Sequence, residues 1–503
     1  MRILRSNVFS DAEASDYAIF KGANFLHTVT REHVIRRQLL IAPGDRLDRE
    51  LLAATERALR LLEFVNDATV EVIDVSESAV AATPGDGPAA LPSSGYVDIV
   101  IHTHDAWTIV PGILFESGGG LTEIGLTGSD TNVAGFGKKV WLEGVHHSDV
   151  GNRFAAGYRD PQVLGSRWLG SGSFRTGPLL DAVDFSLNRP FYSPDSKWAY
   201  SAYGGWRAEK FRLFNAGDEV GRIQESRKRA QVAVARAVGA RYRKLTAELL
   251  YIYEDAEYDV TEGLDVRVPE DELTLTTFVG LFYREERWVK DKRIRKMTIT
   301  EDVRLGYQLG ARVGRAGFPV PYGEKQWNFS ATYQHAFTPI EGHYLFLSTV
   351  GSSEEDKNSV LSFGSTYFAK WSRWQTLAIN FKLDYGWRLD GSNQFSLGGE
   401  SGLRGFSARR FNGDKALLLN AETRLFSPVE ILTVALGAVA FVDAGRAWAE
   451  DQDIKLDEVG VSAGFGMRFG FTRAPNEPTG RIDFGWPLSE GGFALTIGAE
   501  QQF

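Results

Sequence analysis

The sequence predicts a small α+β unit followed by a large antiparallel β-barrel that spans a membrane. Three observations predict it. Helical periodicity is confined to roughly the first hundred of 503 residues. From Trp107 onward, apolar and polar residues alternate over segments of about ten residues, where soluble strands average about five to six. Glycine (53 of 503 residues) and aromatic residues (12%) are both abundant, as tight turns and interfacial aromatic girdles require.

Composition narrows the class. Hydrophobic residues make up 43% and the mean hydropathy is -0.21. The most apolar stretch, Ile431 to Val442, is short and interrupted by Gly437. Helical membrane spans are therefore not expected, since each needs about 20 apolar residues. A barrel strand is apolar on one face only and averages to modest hydropathy. The chain has no cysteine, which removes thiolate metal sites, thiol nucleophiles and disulfides and suits an oxidising compartment. A net charge of -9 argues against a nucleic-acid partner. The start, Met1 to Asn7, has basic residues but no apolar core after them. It does not read as a secretory signal, and a truncated or mis-assigned start is expected.

The α+β unit is read over 23–106, after an N-terminal segment 1–22. A strand near Ala23–Thr28 comes first. Val34, Ile35, Leu39 and Leu40 form a helical stripe with Thr30 placed to cap it. Ala42-Pro43-Gly44-Asp45 ends that helix. Asp48 caps a second helix reaching about Leu62, with Leu51, Leu52, Ala58, Leu59 and Leu62 on one face. Strands follow at Phe64–Val75 and Tyr96–His104, separated by a loop rich in Pro, Gly, Ala and Ser.

The barrel is read over 107–503. Trp327, Phe329, Ala331, Tyr333, His335 and Phe337 share one face of a strand. Leu377, Ile379, Phe381, Leu383, Tyr385 and Trp387 do the same opposite Ala378, Asn380, Lys382 and Asp384. In the last strand Phe493, Leu495, Ile497, Ala499 and Phe503 oppose Thr496, Gly498, Glu500 and Gln502. Large apolar side chains on one face and polar ones on the other fit lipid outside and water inside. A soluble sandwich also alternates, but with shorter strands and smaller outward residues. The chain length allows about 14–18 strands, and 16 are expected. Arg222–Arg236 reads as a charged turn or loop, and Glu257–Asp271 as an acidic loop. His102 and His104 share a strand face but lack a third metal ligand, and His146-His147 point to opposite faces. No nucleophile elbow, zinc-protease helix or phosphate-binding loop is present. Neither catalytic residues, a metal nor a cofactor is expected.

Several segments, in order, resemble the Omp85 superfamily of outer-membrane assembly and translocation proteins. Thr30–Arg37 with Glu56–Phe64 is similar to its periplasmic POTRA domain, whose order is β-α-α-β-β. Asn132–Val140 is similar to the segment that opens the family's barrel. Gly398-Gly399-Glu400-Ser401-Gly402-Leu403-Arg404-Gly405-Phe406 resembles its Val-Arg-Gly-Phe/Tyr loop, with Leu403 where Val or Ile is usual. Phe441-Val442-Asp443-Ala444-Gly445 resembles its Asp-x-Gly strand, and Arg481–Leu488, with Asp483, Gly485 and Pro487, and the terminal Phe503 complete the pattern. The resemblance implies a loop around 398–412 folded into the lumen, with Arg404 paired to Asp443 or, second, to Asp483. Gly402 and Gly405 would permit the turn, Phe406 would pack on the inner face, and Phe503 would end a C-terminal assembly signal. It implies a weak seam between first and last strands. It also implies an outer-membrane insertase or translocase, not an enzyme, whose partners are outer-membrane lipid, an unfolded or secreted client and a periplasmic protein met through the POTRA unit. A barrel enzyme acting on lipid or peptide and a passive porin are the alternatives.

Overall fold

An α+β unit leads into a β-barrel in the computed structural model, which describes residues 1–74, 95–118, 120–215, 218–260, 270–317, 325–355, 357–390, 393–474, 476–499, 501 and 503. The expected Pro/Gly loop before Tyr96 and part of the expected acidic loop after Glu257 lie outside the described residues.

The N-terminal unit is a three-stranded sheet covered by helices. Its elements are β1 (Arg2–Ser6), α1 (Asp11–Asp16), α2 (Ala18–Leu26), α3 (Glu32–Arg36), α4 (Arg49–Arg60), β2 (Val65–Asp74) and β3 (Val97–Asp105). β3 is central, parallel to β1 and antiparallel to β2. The apolar stripe of α3 and α4 explains the core: Val34, Ile35, Leu39 and Leu59 bury against Phe64, Val65, Ala68 and Ile101. Asp48 caps α4 by accepting the amides of Glu50 (3.0 Å) and Leu51 (3.2 Å), an arrangement worth about 1 kcal/mol.

The first strand differs from the expectation. Residues 23–28 do not form it; β1 does, so the segment 1–22 belongs to the unit. Ala18–Leu26 is helical because Phe20 and Ala23 pack against Val8, Phe9 and Trp107. Asn24 accepts the amide of Phe9 (3.1 Å) and donates to its carbonyl (2.8 Å), tying the helical hairpin shut. Ser10 and Glu13 start α1 as a reciprocal capping box. Thr30, expected to cap the next helix, does not do so: Arg31 is the cap position and the helix begins at Glu32, because Asp105 takes both the Thr30 amide (2.7 Å) and hydroxyl (2.9 Å).

Among the described residues, 20 strands close into one antiparallel ring in which sequence neighbours pair throughout. The expectation of 16 is corrected. Six strands, from Ile109–Gly118 to Leu180–Arg189, have 8 to 10 residues each and are joined by short turns. That length is enough for a tilted strand to cross the apolar band, so long loops need not consume the chain. Asn132–Val140 does not open the barrel. It spans the turn between its second and third strands, Leu121–Asp130 and Lys139–His147, and Ile109 begins the ring. Arg222–Arg236 is not a loop either. It lies within the 23-residue strand Asp218–Ala240, whose alternate positions Val232 and Val238 are exposed.

The exterior is apolar. Leu126, Leu142, Phe154, Phe185, Val279 and Leu361 are each more than half exposed, far more apolar area than a soluble surface presents contiguously. Trp198 and Trp371 lie at the end nearer the N-terminal unit, Trp327 and Trp387 at the far end. The ring shuts where Ala494–Ala499 meets Ile109–Gly118, and the described register there is the pair Ile497 with Ser117. The neighbouring ladder runs from Gly480 opposite Ala499 to Gly485 opposite Ala494.

The N-terminal unit sits across the near mouth. Arg60 grips Asp302 with two bonds of 2.8 Å and also holds Glu56, while Lys290 reaches Glu56 at 2.5 Å. Glu63 takes Lys139 (2.6 Å) and Arg159 (2.9 Å), and Arg241 bridges Asp48 and Asp195. Gln162 donates to the carbonyl of Val34 (2.9 Å), and Asn132 to the Thr30 hydroxyl (2.8 Å). These partners belong to turns and strand ends around much of the mouth, so the unit acts as a cover over it.

Two outcomes follow for this cover. Arg60→Ala leaves Asp302 without its cation and Glu56 with Lys290 alone. It should lower the docking stability by about 3 kcal/mol, at the low end for a largely buried pair, and speed tryptic cleavage within the N-terminal unit while the barrel stays resistant. Asp48 gives the docking one acid-sensitive contact. Hydrogen bonding from the Arg241 guanidinium, then from the Leu51 and Glu50 amides, outweighs burial and holds its carboxyl below the usual carboxylate range. A carboxyl lowered in the folded state stabilises above its unfolded value of about 3.9 and loses that contribution as pH falls through its folded value. The Asp48 contribution, read as the difference in unit-to-barrel spin-label distances between wild type and Asp48→Asn, should therefore be constant from pH 8 to 5 and vanish only below about pH 4.

Candidate functional site: a charged loop anchored in the barrel lumen

Between strands Gln375–Trp387 and Lys415–Ile431 the chain leaves the far rim and turns back into the barrel. A two-stranded ribbon, Phe395–Leu397 with Phe411–Gly413, carries it inward. Its tip is Gly402-Leu403-Arg404-Gly405-Phe406. Gly402 (φ 109) and Gly405 (φ 94) occupy backbone conformations that side chains disfavour. Gly405 also passes against the wall at Gly485. A Cβ on Gly485 would lie 2.8 Å from the Gly405 nitrogen, so both glycines are needed for this approach.

Apolar burial seats the tip. Leu403 and Phe406 are fully enclosed with Leu397, Ala416, Leu418 and Ala447, and Phe411 closes over Phe406. Gly445 admits Leu397, whose Cδ1 would be 3.4 Å from a Cβ there. Pro487 is buried at the end of its strand and opposite Ser462.

At the centre is Arg404, 0% exposed. Its Nε and Nη2 donate to the two oxygens of Asp443 at 2.7 and 2.8 Å, the bidentate geometry that a planar guanidinium offers a carboxylate. Nη1 donates to Glu422 at 2.6 Å and lies 3.6 Å from Asp483. The guanidinium carbon sits 3.5 Å above the Phe441 ring. Asn420 ties loop to wall by donating to Asp443 (2.8 Å) and to the Gly402 carbonyl (2.8 Å).

The cluster extends beyond the residues singled out in the sequence. Asp483, the second candidate partner, is held mainly by Arg468 at 2.6 Å, with Arg481 at 3.4 Å. Arg424 donates to Glu422 at 3.0 Å. Four strands thus contribute Glu422 and Arg424, Asp443, Arg468, and Asp483 to one water-poor network. Glu422, Arg424 and Arg468 escaped the motif reading. Their signal is alternation: Asn420, Glu422 and Arg424 occupy every second position of a strand otherwise rich in Leu.

A second inward segment reaches this network from the opposite end. The connection 292–300 between strands Glu272–Asp291 and Glu301–Ala316 folds under the barrel. Arg424 donates to the Ile294 carbonyl at 3.2 Å, and Glu477 accepts the amides of Met297 and Thr298 at 3.0 Å. Phe503 also turns inward, contrary to its expected place on the outer face. It packs with the inner-wall cluster containing Phe368 and Ala378, and its main-chain oxygen accepts from Arg424 at 2.9 Å. The guanidinium of Arg424 stands 5.0 Å from its ring. Cation–π attraction and burial outweigh lipid contact there.

At the far rim the loop crosses toward other parts of the wall. Arg409 donates to Asp149 at 2.9 Å, and Arg410 to Glu490 at 2.7 Å. The Arg212 guanidinium, with Arg409 beside it, holds the Asp149 carboxyl far below the carboxylate range. The histidines are elsewhere. His102 lies 3.6 Å from Glu71 on the N-terminal unit, and His146 reaches Asn152 at a far turn.

A closed antiparallel ring with an apolar exterior, aromatic residues at both ends and charged segments folded into its lumen defines a plugged membrane β-barrel. Residues 366–468 match the family model of the haemolysin secretion/activation protein ShlB/FhaC/HecB. This match carries the resemblance to the Omp85 superfamily, and its residues include the inserted loop, Asp443 and Arg468. Among solved structures, the chain is similar to BamA from Haemophilus ducreyi lacking POTRA domains 1-3 (12% identity, 94% of this chain and 82% of that one, TM-score 0.41). It is also similar to CdiB from Acinetobacter baumannii (12%, 93% and 71%, 0.44) and CdiB from Escherichia coli (13%, 99% and 76%, 0.44). No curated protein matches the chain by sequence.

Replacing Arg404 by Ala leaves Asp443 buried without its cation, removes one of the cations on Glu422 and unties a buried loop. The loop should detach at a cost of about 3–5 kcal/mol, read as trypsin cleavage at Arg409 and Arg410 and a lower temperature of barrel unfolding on gels. Arg404→Lys should fail to restore protection, because an ammonium cannot span Asp443 bidentately and reach Glu422 as well.

Proposed function

We propose that this chain is an outer-membrane translocase or insertase of the Omp85 type and has no enzymatic role. The observation that carries the reading is Arg404, sequestered on Asp443 inside a stretch matched by a secretion-protein family. A passive pore gains nothing from a lumenal loop held by buried charge. A device that must be closed at rest and open to a polypeptide does.

In this reading the N-terminal unit is a POTRA domain with a helical hairpin inserted after its first strand, and it faces the periplasm. β2 is an edge strand of its sheet, and an extended client can add to such an edge by main-chain hydrogen bonds. The client then enters a lumen blocked from the periplasmic side by 292–300 and from the outside by 398–412. Passage requires one or both to move. The seam between Ile109–Gly118 and Ala494–Ala499 offers a lateral alternative, with the pair Ile497 and Ser117 as its described register.

The test compares secreted and outer-membrane proteomes of cells with the wild-type chain, with Arg404→Ala and without the chain. Loss of one or a few polypeptides without the chain, and partial loss with the variant, supports the proposal. An unchanged proteome with large, steady conductance of the purified barrel would make it a porin; hydrolysis of lipid or peptide would make it an enzyme. Because the chain has no cysteine, Ser117→Cys with Ile497→Cys can lock the seam alone. If clients leave laterally, oxidation should reduce client delivery at least about tenfold and reduction restore it; a lock without effect assigns transport to the lumen.

A further inference from the structure

The outer wall carries a feature that neither the lumenal network nor the N-terminal unit explains. Across the strands from Leu121–Asp130 to Arg243–Val260, small residues replace large ones on the lipid-facing side. Gly128, Ala156, Gly172, Ala202, Gly204 and Ala230 line a furrow of about 1500 Å³. A Cβ on Gly128 or Gly204 would meet nothing within 4 Å, so the furrow is open at both. Its sides are Leu142, Phe174, Phe185, Leu187 and Val232, all strongly exposed. Its carboxylates are occupied: Asp130 accepts the Asn132 amide at 2.8 Å, and Asp160 lies 3.1 Å from Lys138.

The strand register places a cationic border at one end. Ala202 pairs with Leu187 on one side and Val232 on the other. Two residues further toward the N-terminal unit, about 7 Å along each strand, Tyr200 stands between Arg189 and Val234. Trp198 and Arg236 pair in the next outward row. Trp168 and Trp198 stack on Tyr200 at 6.0 and 6.3 Å. Arg236 lies over Trp198 at 5.2 Å and Arg189 over Tyr192 at 5.7 Å. Neither arginine has a carboxylate partner among the described residues. Their neighbours Arg167 and Arg241 are engaged, on the Leu39 carbonyl (2.8 Å) and on Asp195 (2.7 Å).

We propose that this furrow is a binding site for one phospholipid of the leaflet on the N-terminal unit's side. Its phosphate lies between Arg189 and Arg236, and its acyl chains fill the furrow over Gly172, Ala202 and Gly204. Aromatic side chains at the same level mark the headgroup region. An apolar trough leading to two unpaired guanidiniums is complementary to an amphiphile with an anionic head. The site rests on the reading that the ring spans a membrane.

The test uses the full-length protein refolded in detergent and titrated with phosphatidylglycerol and with diacylglycerol of the same chains, read by native mass spectrometry. Wild type is expected to hold one phosphatidylglycerol tightly. Arg189→Gln with Arg236→Gln should weaken it at least about tenfold and leave diacylglycerol binding unchanged. Gly204→Leu, which fills the trough, should weaken both. Heat-shifted gel mobility reports folding, and either variant that folds decides the matter. Phosphatidylglycerol binding unchanged in the arginine variant overturns the proposal. So does a dimer that Gly204→Leu dissolves, which would assign the furrow to a second copy. Insertion of wild type into liposomes is measured beside it, so that failure of the membrane reading is seen separately from failure of the site.

Discussion

A guanidinium with no access to water constrains the C-terminal part of this barrel. Removing a cation from water costs several kcal/mol unless its hydrogen-bonding capacity is met by charge. Arg404 meets that requirement with Asp443 and Glu422 and stands near Asp483. Those carboxylates come from three different strands, so the pairing fixes the heights of the strands relative to the loop. The glycines then follow as geometric necessities. The tip reaches Asp443 only because Gly405 and Gly485 bring two backbones into contact.

The network has two clients, one from each end of the barrel. Arg404 belongs to the far loop. Glu422 links it to Arg424, and Arg424 holds the carbonyl of Ile294 and the main chain at Phe503. A displacement of the far loop therefore unbalances Glu422, which loses one of three cationic partners in a low-dielectric site. That change falls on the segment 292–300 at the opposite mouth. Coupling of this kind needs no long pathway, because one carboxylate is shared by both plugs.

The ring itself divides into two kinds of wall. The strands that precede Trp198 are short, and the strand Asp218–Ala240 has 23 residues. The furrow runs from the short strands onto the first long ones; the C-terminal part carries the charge cluster. The furrow and the buried charge cluster thus occupy different arcs of one cylinder.

Much of this was legible in the sequence. Alternation with period two identified lipid-facing residues such as Trp327, Tyr385 and Leu495, since the pleat alone sends neighbours to opposite faces. Helical spacing and a capping Asp48 located α4. Arg404 and Asp443 were picked from motifs and stand in contact. What the sequence left open has a common physical cause: partners in a sheet are chosen by register, and register is a property of two strands. Nothing local says that Glu422 will share a cation with Asp443, that Arg189 will stand beside Tyr200, or that Phe503 will turn inward under Arg424. The strand count and the pairing of β1 with β3 were decided likewise. Alternation assigned sides to residues within the strands, because the pleat is local; only the closed ring decided which residues meet there and turned Phe503 inward.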